Sequence, residues 1–370
     1  MKPENEAELA QMVANANAAL QVVGGGSRRI GLPQDCDHLN TSLLSGITLY
    51  EPGALTLVAQ AGTSVSEIEK ALESEGQRLA FEPADHRALM QTKGMPTIGG
   101  IVATNTSGPR RISVGACRDF LLGVRFVDGM GRVLKNGGRV MKNVTGYDLV
   151  KLMAGSYGTL GVLSEVSLKV LPIAERAATV TIAGLTDVQA VRVMSAALGS
   201  PYDVTGAAHS QVGDSAQALT MLRLEGFEGS VTYRAQKLRE LLAPFGSLDI
   251  VTDDTKVQAM WRRVRDVEGF AAKTGNVWKI SVKPSDAPEL VARLGADEVM
   301  YDWGGGLIWA LAPTEIDLRA VMAGTAGHAT LVRGEGFAKF HPEPAAVAAL
   351  SAGIRQKFDP RGFLNPGLMG

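Results

Sequence analysis

The sequence predicts an α+β protein built in two unlike parts, and three observations point that way. Glycine crowds one stretch: of the 43 glycines, 14 fall between Gly94 and Gly161. All four tryptophans (Trp261, Trp278, Trp303 and Trp309) come later. From about Ala178 the apolar pattern changes, and its last stretch settles into a β-α-β-β-α-β order, the order of a ferredoxin-like unit, with a looser copy ahead of it.

In chain order, residues 19–23 read as a strand that runs into Gly24, Gly25, Gly26 and Ser27. Residues 55–59 are a second strand, leading to Thr63 as N-cap of a helix over 64–73, where Val65, Ile68 and Leu72 recur at helical spacing. Residues 120–127 form a strand entering the Asp128-Gly129 turn, and 162–170 another before Pro172. The looser copy is a strand at 179–183, a helix at 187–198, a strand at 218–224 and a helix at 230–242. The clearer one is a strand at 277–282, a helix at 287–294, strands at 299–303 and 306–311, a helix at 315–323 and a strand at 328–332. Between them Met260, Val264 and Val267 recur at helical spacing as a core stripe, with Arg262, Arg263, Arg265, Asp266 and Glu268 as the solvated face. A helix at 344–357 and a turn-rich strip at 358–367 close the chain.

Composition narrows the function. Lys+Arg 37 against Asp+Glu 38 leaves a net charge of -1, with no basic surplus for a phosphate backbone, so nucleic acid is not an expected partner. Two cysteines, Cys36 and Cys117, cannot supply the four ligands of an iron–sulfur cluster, and a disulfide framework is not expected either. The five histidines (His38, His86, His209, His328 and His341) show no HxH, HxxH or HExxH spacing, so no metal site is expected. The first twenty residues lack the basic and apolar pattern of a leader, and no run approaches a membrane span. The expectation is a cytoplasmic protein.

Three glycine-bearing segments carry the chemistry. Gly24, Gly25, Gly26 and Ser27 directly after a strand let backbone N–H groups approach a phosphate, although the run is neither G-x-G-x-x-G nor a Walker loop. Residues 97–111 alternate small side chains and hydroxyls and end in Arg110-Arg111, which suits a backbone-lined groove for an extended, doubly negative dinucleotide. Residues 142–149 lead into 155–162, where glycine again precedes a strand and permits close approach of a flat ring or a pyrophosphate.

Taken in order, GGGSR, the Pro83–Asp85 triplet, TIGGIVATN, Arg111 before Gly115, GYDLVKL, GSYGTLGV and the terminal FDPRGFLNPG resemble the vanillyl-alcohol oxidase / p-cresol methylhydroxylase (PCMH-type) superfamily of FAD proteins. Within it they are most similar to the FAD-binding subunits of bacterial glycolate oxidases. The resemblance spans essentially the whole chain. It implies a PCMH-type FAD-binding domain of two α+β subdomains over residues 1–172 and a ferredoxin-like α+β cap with an antiparallel sheet over 173–342. A segment at 343–370 would return to the FAD domain. It also implies that Gly24, Gly25, Gly26 and Ser27 wrap the pyrophosphate. Pro83, Asp85, Thr97, Gly99 and Gly100 would line the ribityl and flavin region, and Thr104, Asn105, Gly108 and Arg111 would complete the groove. Gly161 and Val162 would offer backbone groups, and Asn365 would meet the flavin edge. Neither Ser27 nor Arg28 is the histidine that bonds flavin covalently in some relatives, so the FAD is expected to be noncovalent.

One departure matters. Many 2-hydroxy-acid members carry G-E-H-G-x-G, whose histidine serves near substrate and flavin, whereas this chain has Arg333-Gly334-Glu335-Gly336-Phe337. Oxidising a 2-hydroxy acid needs a base for the hydroxyl proton and a cation for the carboxylate. The candidates left are His328 or His341 for the first and Arg333 for the second. The leading expectation is a subunit of a multi-subunit glycolate dehydrogenase, turning glycolate to glyoxylate. A sister FAD-linked subunit would hold the main substrate site, an iron–sulfur subunit would take electrons onward, and the inner membrane would be met only peripherally, through those partners. The alternatives are an autonomous FAD-dependent 2-hydroxy-acid dehydrogenase and a non-catalytic assembly subunit.

Overall fold

The computed structural model describes residues 1–31, 35–139, 146–213 and 217–369. Residues 142–145 of the 142–149 motif lie outside the described residues.

In the N-terminal domain, strand Leu20–Val23 pairs in parallel with Asp37–Asn40, and Leu364 from the far end of the chain bridges alongside Leu20. Helix Glu6–Ala14 packs Leu9 and Val13 against Leu20, Leu39 and Leu364. A second sheet of five antiparallel strands runs Ile47–Glu51, Thr56–Gln60, Val162–Lys169, Leu121–Val127, Val133–Gly137. Helices Val65–Glu73 and Ile98–Ala103 bury Ile68, Leu72, Ile98 and Val102 in its core. The N-cap of Val65–Glu73 is Ser64, which accepts from the Glu67 N–H at 3.2 Å, and not Thr63. Thr63 is fully buried, and its hydroxyl bonds the backbone of Gly46 and Gln60 instead.

The cap is one eight-stranded antiparallel sheet, in the order Leu248–Val251, Arg176–Ala183, Leu219–Gly226, Gly206–Ser210, Glu298–Asp302, Leu307–Ala312, Asn276–Val282, Gly327–Arg333. It is two β-α-β-β-α-β units joined edge to edge where His209 pairs with Tyr301 and Ser210 with Met300. The strands Gly206–Ser210 and Leu248–Val251, which complete the first unit, carry weak strand signals: Gly-Ala-Ala-His-Ser has little β-propensity and is held by its neighbours on both sides. The helix expected over 315–323 narrows to Leu318–Val321.

Helices Asp187–Leu198, Glu228–Leu242, Ala287–Leu294 and Leu318–Val321 cover one face of this sheet. The other face meets helix Asp254–Asp266 and the N-terminal domain through Val257, Trp261, Val264, Trp309, Val332, Ile30 and Leu89. Strand alternation therefore decides what reaches the domain junction. In Asn276–Val282, Trp278 and Ile280 pack under the helices while Lys279 and Ser281 point to the junction.

Buried ion pairs hold the two domains together. Arg223 of the cap forks onto Glu82 of the N-terminal domain at 2.8 and 3.0 Å, while Glu225 of the cap accepts from Arg78 at 2.7 Å and from Arg110. The expected solvated face of helix Asp254–Asp266 is partly wrong for the same reason. Asp266 is buried, accepting from the Asp85 N–H at 2.8 Å and from Arg265, because this end of the helix is wedged between the domains. At the C-terminus, helix Ala345–Phe358 buries none of its residues, and the strip after it returns to the N-terminal domain through Arg361, which donates to the carbonyls of Val13, Ala16 and Gly129.

Candidate active site

Strand Leu20–Val23 delivers Gly24, Gly25 and Gly26 to the mouth of a cavity between the two N-terminal sheets. This loop lies backbone to backbone against the 94–97 segment. A Cβ on Gly25 would meet the Met95 carbonyl at 1.7 Å, and one on Gly94 the Gly25 carbonyl at 2.0 Å. Glycine is therefore required for the loops to meet at all. Among the described residues, the N–H groups of Gly24, Gly25, Gly26 and Ser27 find no acceptor in the protein. Four adjacent unspent donors on a side-chain-free wall are what a diphosphate needs. The rest of the cavity is lined by Thr97, Gly99, Gly100, Thr104, Tyr157, Gly161 and Val162, mostly small side chains that leave its walls to the backbone. Gly99 also packs the helix Ile98–Ala103 on Ala61, its N–H donating to the Ala61 carbonyl at 2.8 Å.

The remaining expected residues lie elsewhere. Pro83 is buried away from this cavity. Asp85 is bound by Arg87 at 2.6 Å, and Asn105 accepts from the Arg118 N–H at 3.0 Å. Asn365 is buried, with its Oδ1 on the Val22 N–H and its Nδ2 on the Tyr157 carbonyl, both at 2.8 Å. It is thus engaged in holding the cavity wall together. Asn365→Ala leaves the half-buried Val22 N–H without its acceptor, at a cost of up to about 1–3 kcal/mol. Faster FAD dissociation is the expected outcome in a fluorimetric release assay, with little change in the cap.

Gly108 and Arg111 line a second cavity, which adjoins the first and lies beneath the cap sheet. The two share Arg28, Ile30, His86, Thr104 and Tyr157 as walls. Arg28 donates to Thr106 and, at 2.8 Å, to His86 Nδ1. A guanidinium only donates, so Nδ1 holds the lone pair and the His86 proton sits on Nε2, which is buried with no hydrogen bond. Burial, Arg28 and Lys279 together hold the His86 ring neutral, well below the ordinary histidine range.

Arg28, Arg111 and Lys279 face this second cavity and, among the described residues, none has a carboxylate within ion-pair distance. Arg111 lies 4.4 Å over the Trp303 ring and Lys279 5.4 Å from it. Burial, Arg28 and Arg111 push the Lys279 ammonium down to about 7. Burial pushes the Asp302 carboxyl up to about 7, against the Trp303 N–H and Arg223. An unpaired cationic lining of this kind suits a small carboxylate.

The three catalytic candidates from the sequence are differently placed. Arg333 is saturated by backbone carbonyls, among them Leu89 at 3.1 Å, Phe270 at 3.0 Å and Lys273 at 2.6 Å, so it ties chain segments together and is not available to an acid. His341 accepts from the Ala329 N–H at 3.3 Å and does not line the cavity. His328 does line it, from the exposed outermost strand. Burial and Lys279 lower its affinity for a proton. Sequence reasoning passed over Arg28, His86, Lys279 and Asp302 as site residues. A lysine inside the apolar alternation Val277-Trp278-Lys279-Ile280, and an acid at a strand end before Gly304-Gly305-Gly306, were the available signals. Among the described residues no cluster of His, Cys, Asp or Glu could hold a metal ion.

A dinucleotide groove under an antiparallel cap, opening into a cation-lined cavity, defines an FAD-dependent oxidoreductase. Residues 1–137 match the FAD binding domain family. The chain is 36% identical over 354 residues to the glycolate oxidase subunit GlcE of Escherichia coli, covering 95% of this chain and 92% of that one, and it belongs to that family. It is also 28% identical to the mitochondrial D-2-hydroxyglutarate dehydrogenase of Rattus norvegicus, over 99% of this chain and 77% of the relative. Among solved structures, an alkyldihydroxyacetonephosphate synthase shares the fold, with a TM-score of 0.73 at 16% identity over 99% of this chain and 76% of that one.

Proposed function

We propose that this chain is the FAD-bearing subunit of a heteromeric glycolate dehydrogenase, which oxidises glycolate to glyoxylate and passes the electrons to partner subunits. The observation that carries the reading is the shared wall of Arg28, His86, Thr104 and Tyr157, which sets an anion-compatible cavity directly against the dinucleotide groove. The Escherichia coli relative is a glycolate oxidase subunit, and a relative in Bacillus subtilis carries the name of a second subunit, GlcD, which supports a sister flavin subunit as partner. An iron–sulfur subunit, noncovalent FAD and a cytoplasmic, peripheral inner-membrane location belong to the same proposal.

The Gly24–Ser27 backbone holds the diphosphate, and Gly99, Gly100, Gly161 and Val162 flank the ring system. When bound, the flavin supplies a two-electron acceptor for hydride from the substrate carbon. Lys279 and Arg111 bind and orient the substrate carboxylate, Trp303 and Trp309 wall off water, and Arg28 keeps His86 neutral. This arrangement favours a substrate site within this chain over one confined to the sister subunit.

Anaerobic mixing of the purified, FAD-loaded chain with glycolate, D-lactate or D-2-hydroxyglutarate tests the reading. Bleaching of the oxidised flavin by one of them is expected, and inertness toward all three would refute a substrate site of this chain's own. Pull-down of the tagged chain with iron and flavin analysis tests the partners. For Lys279→Met, affinity for oxalate should fall about 10–100-fold, the range of one charge-assisted contact. The protonated amine is present below about 7 and lost above it, so wild-type oxalate affinity should weaken from pH 6 to pH 8 by calorimetry. A variant that binds oxalate as tightly as wild type would sink that assignment.

A further inference from the structure

Asp302 is the one carboxylate among the residues lining the cation-walled cavity. We propose that Asp302 is the base that takes the hydroxyl proton of a 2-hydroxy acid bound there, while Lys279 and Arg111 hold the acid's carboxylate. This rests on the function proposed above and adds the proton acceptor that the missing histidine motif leaves open.

The geometry singles out Asp302 by placement and by elimination. It ends strand Glu298–Asp302 and is 2% exposed. Its Oδ1 accepts from the Trp303 N–H at 2.7 Å, which fixes the carboxylate at the cavity wall. The turn that follows is unusual: Trp303 has φ 52, a left-handed value seldom adopted by a bulky residue, and Gly304 and Gly305 follow at 68 and 101. The Trp303 indole donates to the Gly108 carbonyl at 3.1 Å, so the turn is pinned across the domain junction. Asp302 makes no ion pair with Lys279, although both face the same space and each feels the other's charge. In the proposed arrangement a hydroxy acid would lie with its carboxylate toward the lysine and its hydroxyl toward the aspartate, both of which line the cavity.

Two of the three histidines near this space fail as bases on hydrogen-bond grounds. The only lone pair of the neutral His86 ring is occupied by Arg28, and that of His341 by the Ala329 N–H. His328 lines the cavity from the outermost strand but is itself exposed to solvent, whereas Asp302 is 2% exposed. The groups that set the charge around Asp302 come from each neighbouring element: Arg223 from strand Leu219–Gly226, Glu82 from the N-terminal domain, Lys279 from strand Asn276–Val282, and Arg111 and Arg265 from the cavity walls. Burial keeps the carboxylate basic enough to accept a proton near neutral pH, the range that suits a general base.

The step balances. The substrate O–H bond breaks and its proton passes to Asp302. The C–H bond breaks, and its hydrogen leaves with the electron pair as hydride to the flavin. The oxygen lone pair closes the C=O of the 2-oxo acid, so the acid is oxidised and the flavin reduced.

Two measurements on the FAD-loaded chain test this. In anaerobic stopped flow, Asp302→Asn should slow flavin reduction about 10²–10⁴-fold, the usual contribution of a positioned base. Substrate affinity should change by less than about threefold, and the rise of the wild-type rate with pH through about 7 should vanish. Asp302→Glu should recover part of the rate if the carboxylate itself matters. Separately, infrared difference spectra of the oxidised protein without substrate should show a protonated-carboxyl band titrating near neutral pH in wild type and missing from Asp302→Asn. A variant that reduces its flavin within about threefold of wild type, or keeps the acid limb, or a band that survives the substitution, overturns the proposal. If the wild type is reduced by none of the acids, the functional reading fails first, and the base role falls with it. Bleaching of wild type together with an unaffected Asp302→Asn overturns the base role alone.

Discussion

Gly25→Ala is expected to leave a folded protein that no longer retains FAD. The added Cβ would sit 1.7 Å from the Met95 carbonyl oxygen and 2.8 Å from its carbon, distances no side-chain rotation relieves because both partners are backbone. One loop must retreat from the other, and the row of N–H donors at Gly24–Ser27 loses its alignment with the diphosphate. Overpacking of this kind costs about 1–3 kcal/mol and sometimes more. If it falls on the holo state alone, FAD affinity drops roughly 100-fold. Gly53→Ala is the control, since a Cβ there meets nothing within 4 Å. The check is the flavin-to-protein ratio after gel filtration, with circular dichroism to confirm folding. Full flavin in the purified Gly25→Ala protein would remove the assignment of this loop to the cofactor.

Glu225→Gln should loosen the cap from the FAD domain. The Glu225 side chain is 7% exposed and faces Arg78, Arg110 and Arg223, the last two at least as deeply buried. Removing one charge from a buried network strands the others, at about 3–5 kcal/mol. Burial by itself would raise the Glu225 pKa, but Arg223, Arg110 and Arg78 outweigh it and hold the carboxyl at about 2, below its ordinary 4.5. A depressed carboxylate stabilises the folded form fully above the unfolded value and loses that contribution as pH falls through the folded one. Wild-type stability should therefore decline between about pH 4.5 and pH 2, and the glutamine variant should start lower and decline less. Urea midpoints across that range decide it. Equal midpoints at pH 7 would show that the network contributes nothing to docking.

The glycine-lined cavity proposed for the cofactor was legible because its requirements are local. A glycine run after an apolar strand announces close backbone approach wherever it ends up, and Gly24, Gly25, Gly26, Thr97, Gly100 and Gly161 all line one cavity. The second cavity, proposed for the substrate, was not, because its residues are dispersed over elements whose meeting no short pattern encodes. Lys279 reads as a lone charge in an apolar strand, and it reaches the cavity because period-two alternation turns it away from Trp278 and Ile280. Arg333 and the solvated face assigned to Asp266 show the converse. The sequence offers Arg333 as a cation for an acid and Asp266 as part of a solvated face, yet each is drawn into the domain junction, where buried backbone carbonyls and N–H groups need partners.

By itself the sequence determined the α+β class, the ferredoxin-like order of the cap and the backbone chemistry of the dinucleotide groove, since periodicity and glycine placement act over a few residues. Tertiary structure alone decided that the two cap units share one eight-stranded sheet, and that Arg28, Arg111, Lys279 and Asp302 surround a single space. The physical reason is that docking two domains excludes water from their junction. Only that exclusion brings four scattered charges to one space, the cavity proposed to bind an acid and take its proton.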